Sequence, residues 1–466
     1  MTTRRNAVKF IAGAAAGTVF TPVPWKLIRD SALWSENWPG VPRPATGEIK
    51  FKQTRCGLCP AGCAVRARCV GEQPISLAGV EGALCPLGVT GHHLPFHPSR
   101  LKSGPVAEAK ARLSQALAGG ARPAVLDLRP GRTASAHYRQ IMAERKGFYL
   151  SPPRPPVAVN LAAAKVVISL GVPLFEGWLA PARVFAVRDH FRLVQVEPSL
   201  SRTAALADQW LPAATDLHAL ASSLKSQGQV LVLDHAMSPE ILALNRELGG
   251  WGKTVVPLPD EPPAEIAVVP DGAIGALLID ESGPGPYIPW PEIAPKLAPG
   301  AVVVALSWWR EGYARHTALA LPTPVYPESA DDVPYTHEPI APLVKPPAGV
   351  IDPVEFIAGQ PLGAPSPASP LMAGAVVPRI AEMPVSTPLF SKLYNESNLL
   401  MHPHQAALHP CSGFRPGEPA LLAGAYGNLE IEVVLDPGIA PGRVGFVPTP
   451  AVLDICGFRE PQVVRA

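Results

Sequence analysis

The sequence has little charge. Asp, Glu, Lys and Arg make up 17% of its 466 residues, below the roughly 25% usual in soluble domains. The 40 basic and 38 acidic residues nearly cancel, leaving a formal net charge of +2. No broad basic field exists to attract nucleic acid, so that partner is excluded. No run of 18 or more apolar residues lies beyond the N-terminus, which excludes a polytopic membrane protein. Seven cysteines are too few for a disulfide scaffold. A C-x-x-C-H motif is missing, so no covalent haem is expected, despite clustered His92, His93 and His97.

Proline and glycine are plentiful, 58 and 40 residues, and 47% of the chain is hydrophobic. Disorder requires low apolar content and high net charge, and neither applies. The length suits roughly two to four domains with real cores. The scarcity of charge points to surface shared with other chains.

The first residues look like an address. Arg4 and Arg5 precede an uncharged, Ala- and Gly-rich stretch from Phe10 to Trp25, closed by Pro22 and Pro24. Paired arginines, a mild apolar segment and small residues read as a twin-arginine export signal. As a helix the stretch would span about 24 Å, short of a hydrocarbon core near 30 Å. Export to the periplasm is expected, with 1–25 as signal or anchor. An aromatic, Pro-rich extended segment, 26–50, follows.

Four cysteines have ligand spacing. Cys56, Cys59, Cys63 and Cys85 form C-x2-C-x3-C-x21-C. Three thiolates this close converge only around a tight turn, which Gly57, Pro60 and Gly62 supply. A compact triplet with one distant fourth suits a [4Fe–4S] cluster. Zinc, which favours two C-x2-C pairs, is a second reading; disulfides or free thiols are a third. Cys69 falls on the same strand face as Cys63, Val65 and Ala67 and reads as a core residue of a hairpin.

Beyond Pro105, short apolar runs at 124–128, 165–170, 192–197, 229–234, 276–280 and 301–306 alternate with helical patterns at 108–117, 206–224 and 239–248. This is the pattern of parallel sheets covered on both faces. Residues 341–374 are Pro-, Ala- and Gly-rich and read as a linker or surface strap. Trp308–Trp309 follows a strand and reads as a core or interface anchor. Cys411 and Cys456 could pair in an oxidising compartment or stand as separate thiols.

The cysteine pattern, with Cys85–Gly88 and His97–Leu101 after it, resembles the molybdopterin oxidoreductase (dimethyl-sulfoxide reductase-like) family. Segments 165–173, 196–203 and 207–212, Asp216 at a nucleotide-contact position, 301–307, 317–322, 388–399, 416–418 and 428–436 continue the likeness. The resemblance implies an α/β chain: an N-terminal iron–sulfur hairpin domain (51–105), two Rossmann-like parallel-sheet blocks (106–225 and 226–340), a linker (341–380) and a C-terminal β-barrel domain (381–466). Departures from the family are informative. Leu87 stands where catalytic members carry a cation. No cysteine between Cys85 and Cys411 offers a molybdenum ligand, and Glu176 is a poor substitute. The chain is short for a catalytic member, and one glycine, Gly171, serves where a phosphate-binding turn needs several.

Neither a bound molybdopterin nor an active site is therefore expected. Residues 21–42, with Trp25, Trp34 and Trp38, resemble the same stretch in the family's molybdenum-free branch, the subunits of menaquinone reductase complexes and alternative complex III. That likeness implies a cluster-carrying electron-transfer subunit. Its implied partners are a ferredoxin-like iron–sulfur subunit, a multihaem cytochrome c and a polytopic quinone-binding membrane subunit. A small active molybdenum enzyme and a cluster-free scaffold are the rival expectations.

Overall fold

The computed structural model describes residues 46–152, 157–198, 200–212, 216–258, 265–283, 285–359, 371–379, 401–457 and 461–465, with a few isolated positions. Nearly all of the N-terminal stretch read as an export signal, the aromatic stretch before Thr46, and 388–399 lie outside the described residues.

The first unit is a three-stranded antiparallel meander of β1 (Ile49–Arg55), β2 (Ala64–Val70) and β3 (Gln73–Gly79). Its strands alternate: Val65, Ala67 and Cys69 are fully buried, while Arg66 and Arg68 face solvent. Period-two patterning thus places Cys69 in the core, as expected. Helix Pro86–Thr90 follows, with Cys85 as its N-cap.

Two parallel sheets come next, and they are nested rather than successive. β4 (Pro123–Asp127) and β5 (Phe148–Leu150) begin an outer sheet. The chain then leaves it and builds β6 (Val157–Val159), β7 (Val166–Leu170), β8 (Arg192–Val196), β9 (Gln209–Leu211), β10 (Val230–Asp234) and β11 (Val255–Pro257). It returns with β12 (Ile274–Glu281), β13 (Leu297–Ser307) and β14 (Leu319–Pro322). The outer sheet runs β14-β13-β12-β4-β5 and the inner one β10-β7-β8-β9, all parallel. β6 and β11 form a separate antiparallel pair. A division of the chain at 225/226 does not follow these sheets, because β10 pairs with β7, Val230 opposite Val166.

The inner unit has its own core, including Ile168, Trp178, Leu193 and Leu231. The outer sheet is covered on one face by helices Val106–Ala118, Thr133–Glu144 and Pro353–Ala358, and its other face carries a second core. Each fully buried Val, Leu or Ile contributes roughly 1.5–3 kcal/mol. The helix expected over 206–224 is two pieces of structure instead: edge strand β9, then a helix Leu217–Leu224 capped by Asp216. Pro212 explains this, since proline cannot sit inside a helix and biases its predecessor to extended backbone.

β15 (Asp331–Asp332) and β16 (Pro339–Ile340) pair beside the cysteine unit. Part of the Pro-rich stretch then packs as structure. Leu343 is buried, and Val376 exchanges backbone hydrogen bonds with Val159 at 2.8 and 2.9 Å, so 371–379 is a strap on the inner unit. The C-terminal unit is a mixed sheet of β17 (Gln405–Leu408), β18 (Pro419–Gly424), β19 (Gly427–Leu435), β20 (Val444–Phe446) and β21 (Gln462–Arg465), in the order β20-β17-β19-β18-β21. This sheet curls around one core, as a C-terminal barrel-like domain is expected to do. Asp454 joins it to the outer unit, accepting from Tyr287 at 3.0 Å and from the Trp290 amide at 2.7 Å. No helix among the described residues is long and apolar enough to cross a membrane.

Candidate functional site

The loop between β1 and β2 carries three of the four motif cysteines. It is closed by a hydrogen bond from Cys56 N to Cys63 O at 2.9 Å, with Gly62 N donating to Cys59 O at 3.3 Å. Gly62 has φ +54°, and a side chain there would lie 2.5 Å from Val333. The turn residues read from sequence are thus required by both conformation and space. Cys85 arrives after β3, where its Sγ accepts from Gly88 N at 3.3 Å as the helix cap. An N-cap position lends the sulfur backbone donors and the positive end of a short helix.

The structure brings the four thiols into one electrostatic group. Burial and then the neighbouring Cys59, Cys85 and Cys63 push the Cys56 thiol well up. Cys59 is pushed to about 11, by burial and Cys85, although the Arg379 guanidinium pulls the other way. Cys63 is likewise raised by burial, Cys59 and Cys85. Buried sulfurs that repel one another stay protonated unless cationic metal compensates them. Among the described residues no three His, Cys, Asp or Glu side chains are already closed up as a metal-holding group. The donor set itself, four soft sulfurs from a tight turn and a helix cap, fits an iron–sulfur cluster.

Three units meet at this site. Gly177, in the loop after β7, has φ +105° and lies against Cys85; a Cβ there would be 2.5 Å from the Cys85 Cβ. Tyr326, after β14, packs its ring on Gly57 and Gly91. Arg379 from the strap donates its backbone N–H to Trp178 O at 2.7 Å. Leu87 packs into the surrounding apolar core with Cys56, Leu58, Trp308 and Tyr326, so no cation stands at that position. A small cleft of about 90 Å³ opens beside Cys63. Its rim carries two ion pairs, Arg183–Glu81 at 2.8 Å and Arg55–Glu338.

The crevices where parallel sheets of this type take ligands lie beyond the strand ends at a reversal of strand order. Both hold side chains of this chain, with a gap of about 30 Å³ left beside Arg132 and Asp280. At the outer sheet, Asp127 and Asp280 are in register on β4 and β12. Arg132 spans them at 3.2 and 2.9 Å and also reaches Asp331 at 2.9 Å. Tyr138 donates to Asp280 at 2.9 Å. At the inner sheet, fully buried Trp178 follows the β7 loop and donates to His235 O, after β10, at 3.1 Å. These fillings do not fit a molybdopterin dinucleotide. Glu176 accepts from Thr203 at 2.9 Å, and Asp216 caps a helix through Ala219 N at 2.8 Å, so both are engaged in structure.

The remaining candidates resolve as packing. Trp308 and Trp309 are buried and stacked at 4.7 Å, with His97 edge-on to both. His92 and His93 lie 4.1 Å apart, and His92 is pushed down to about 4, by burial and then by its neighbour. Cys411 is exposed, Cys456 is buried, and they are not joined. Sequence reasoning missed Tyr326 and Arg379. Neither sits in a recognisable motif, and only the fold brings them to the cysteines.

No protein-family model matches the chain. The "Menaquinone reductase, molybdopterin-binding-like subunit" of Nitratidesulfovibrio vulgaris is 26% identical over 255 residues. The match covers 45% of this chain and only 37% of that relative. Acetylene hydratase from Pelobacter acetylenicus superposes with a TM-score of 0.57 at 11% identity, over 84% of this chain and 92% of that one. This second likeness concerns the fold. The resemblance to molybdopterin-binding-like proteins expected from the cysteine motif is thus borne out by a curated relative.

Proposed function

We propose that this chain is a catalytically silent electron-transfer subunit of a membrane-bound, quinone-linked respiratory complex. The observation that carries the reading is that Cys56, Cys59, Cys63 and Cys85 are neighbours at one partly buried site, in a chain similar to a menaquinone reductase subunit. These four thiols hold one [4Fe–4S] cluster, which supplies reversible one-electron chemistry when bound. The rest of the chain serves that site. Leu58, Leu87, Trp308 and Tyr326 keep water away from Cys56, and the Gly57 and Gly62 turn sets the spacing of the thiols. The cleft beside Cys63, rimmed by mixed charge, is where a redox partner approaches most closely.

The filled crevices support a chain without molybdopterin and without an active site of its own. The paired arginines at the N-terminus support export by the twin-arginine route and a periplasmic location. Partners are a multihaem cytochrome c, a ferredoxin-like iron–sulfur subunit and a polytopic quinone-binding subunit through which the chain associates with the membrane.

Anaerobically purified, iron-replete protein should contain about four irons per chain and no stoichiometric molybdenum. Reduction should give a low-temperature electron paramagnetic resonance signal, which Cys59→Ser should abolish or convert. Iron-free protein with unchanged complex activity in Cys59→Ser would establish a scaffold instead. Stoichiometric molybdenum and pterin would establish an enzyme.

A further inference from the structure

One buried donor near the cysteines is left without a partner. Tyr326 is 3% exposed, and its hydroxyl makes no hydrogen bond. Leaving such a group unpaired costs about 1–3 kcal/mol, and buried hydroxyls nearly always have partners. The side chain cannot swing away to find one. Its ring is held between two glycines: a Cβ on Gly91 would lie 2.6 Å from the hydroxyl oxygen, and one on Gly57 would lie 3.0 Å from the Tyr326 Cβ. The backbone is fixed as well, because Tyr326 opens a short 3-10 turn whose Glu328 side chain accepts from Val325 N at 3.1 Å and binds Arg100 at 2.6 Å.

The hydroxyl is therefore locked in the wall of the cysteine site. Tyr326 shares one buried cluster with Cys56, and its Cβ faces Gly57, the residue after that cysteine. A phenol is a donor at neutral pH. A cluster held by the cysteines would bring sulfur acceptors to this wall.

We propose that Tyr326 is a positioning residue whose O–H donates to a sulfur of the bound cluster, and so raises the reduction potential. The inference rests on the cluster reading above. A hydrogen bond to sulfur favours the more negative, reduced state, and such bonds are among the factors that set cluster potentials. Tyr326→Phe removes the donor and keeps the ring, so packing against Gly57 and Gly91 is unchanged.

The test is a potentiometric titration of the full chain, followed by electron paramagnetic resonance, with iron content measured alongside. Tyr326→Phe should keep wild-type iron and move the midpoint to more negative potential. About a tenfold change in the reduced-to-oxidised ratio is expected, roughly 59 mV for one electron. An unchanged midpoint in iron-loaded variant overturns the inference and leaves the cluster assignment standing. Wild-type protein without iron overturns both. If the variant loses its iron, the wild type still decides the matter. Proton electron–nuclear double resonance in H2O and D2O should show an exchangeable coupling at the cluster, and its absence rules the donor out.

Discussion

Gly177 shows how tightly single residues define the cysteine site. Its φ of +105° lies in the left-handed region, and any side chain would press on Cys85 from 2.5 Å. Gly177→Ala therefore combines roughly 1–2 kcal/mol of backbone strain with a direct push on the fourth cysteine. The inner sheet should survive, since the pairing of β7 with β8 and β10 does not involve this loop. On the proposed cluster reading, iron per chain after anaerobic purification should fall well below wild type while circular dichroism stays the same; full iron occupancy would show that Cys85 yields without cost. The four cysteines were visible as candidates because their spacing is that of a ligand set. Gly177, Tyr326 and Arg379 were not, because each reaches the site from a separate stretch of chain. No periodicity or motif marks residues that meet only in space.

Strand β12 ends in two acidic residues with opposite fates. Adjacent strand residues face opposite sides, so Asp280 meets Arg132 while Glu281 meets Trp309 at 3.1 Å and Tyr313 N at 3.0 Å. Burial pushes the Asp280 carboxyl up, but Arg132 and Arg129 outweigh it and hold it at about 2. Its folded value is depressed, so its contribution is present above the ordinary 3.8 and is lost as pH falls towards 2. Burial raises Glu281 from 4.5 to about 7, against hydrogen bonds from Ser307, Trp309 and Tyr313. There the sign reverses: the folded state prefers the proton, so stability declines as pH rises from 4.5 to about 7 and is flat beyond. The decline amounts to about 3 kcal/mol. Chemical denaturation across that range should show it, and Glu281→Gln should flatten the profile; an identical slope in the variant would place the effect elsewhere. At the element scale the sequence was largely readable. The six apolar runs all became strands because each is buried on both faces. The segment at 206–212 was misjudged because apolar periodicity masked the effect of Pro212.

Sequence order conceals how the whole molecule is assembled. Adjacent runs of strand and helix suggest successive blocks, whereas the pairing of β4 with β12 encloses the inner unit within the outer one. Local patterning carries no information about a partner strand some 150 residues away, so this nesting becomes visible only in the pairing. It has a physical consequence. The buried inner core runs from Val157 to Val255, and apart from the strap contact at Val376 it is drawn from one continuous stretch. The outer core joins Ala124 and Leu126 to Ile274, Ile279 and Ala305, and is not continuous. A fragment of residues 157–258 should thus fold alone and unfold cooperatively in urea, with dispersed amide resonances. A fragment of 106–225 should not. It would hold β4 and β5 without β12, exposing the apolar strand edge, and β7 without β10. Two separately cooperative fragments split at 225 would contradict the nesting. The same arrangement explains why the cysteine site depends on the whole chain: the meander supplies the sulfurs, the inner unit closes on Cys85 through Gly177, and the outer unit brings Tyr326. Docking of the inner unit against the meander therefore sets how well the site is formed, and on the proposed cluster reading, conditions that loosen that contact should release iron before either sheet melts.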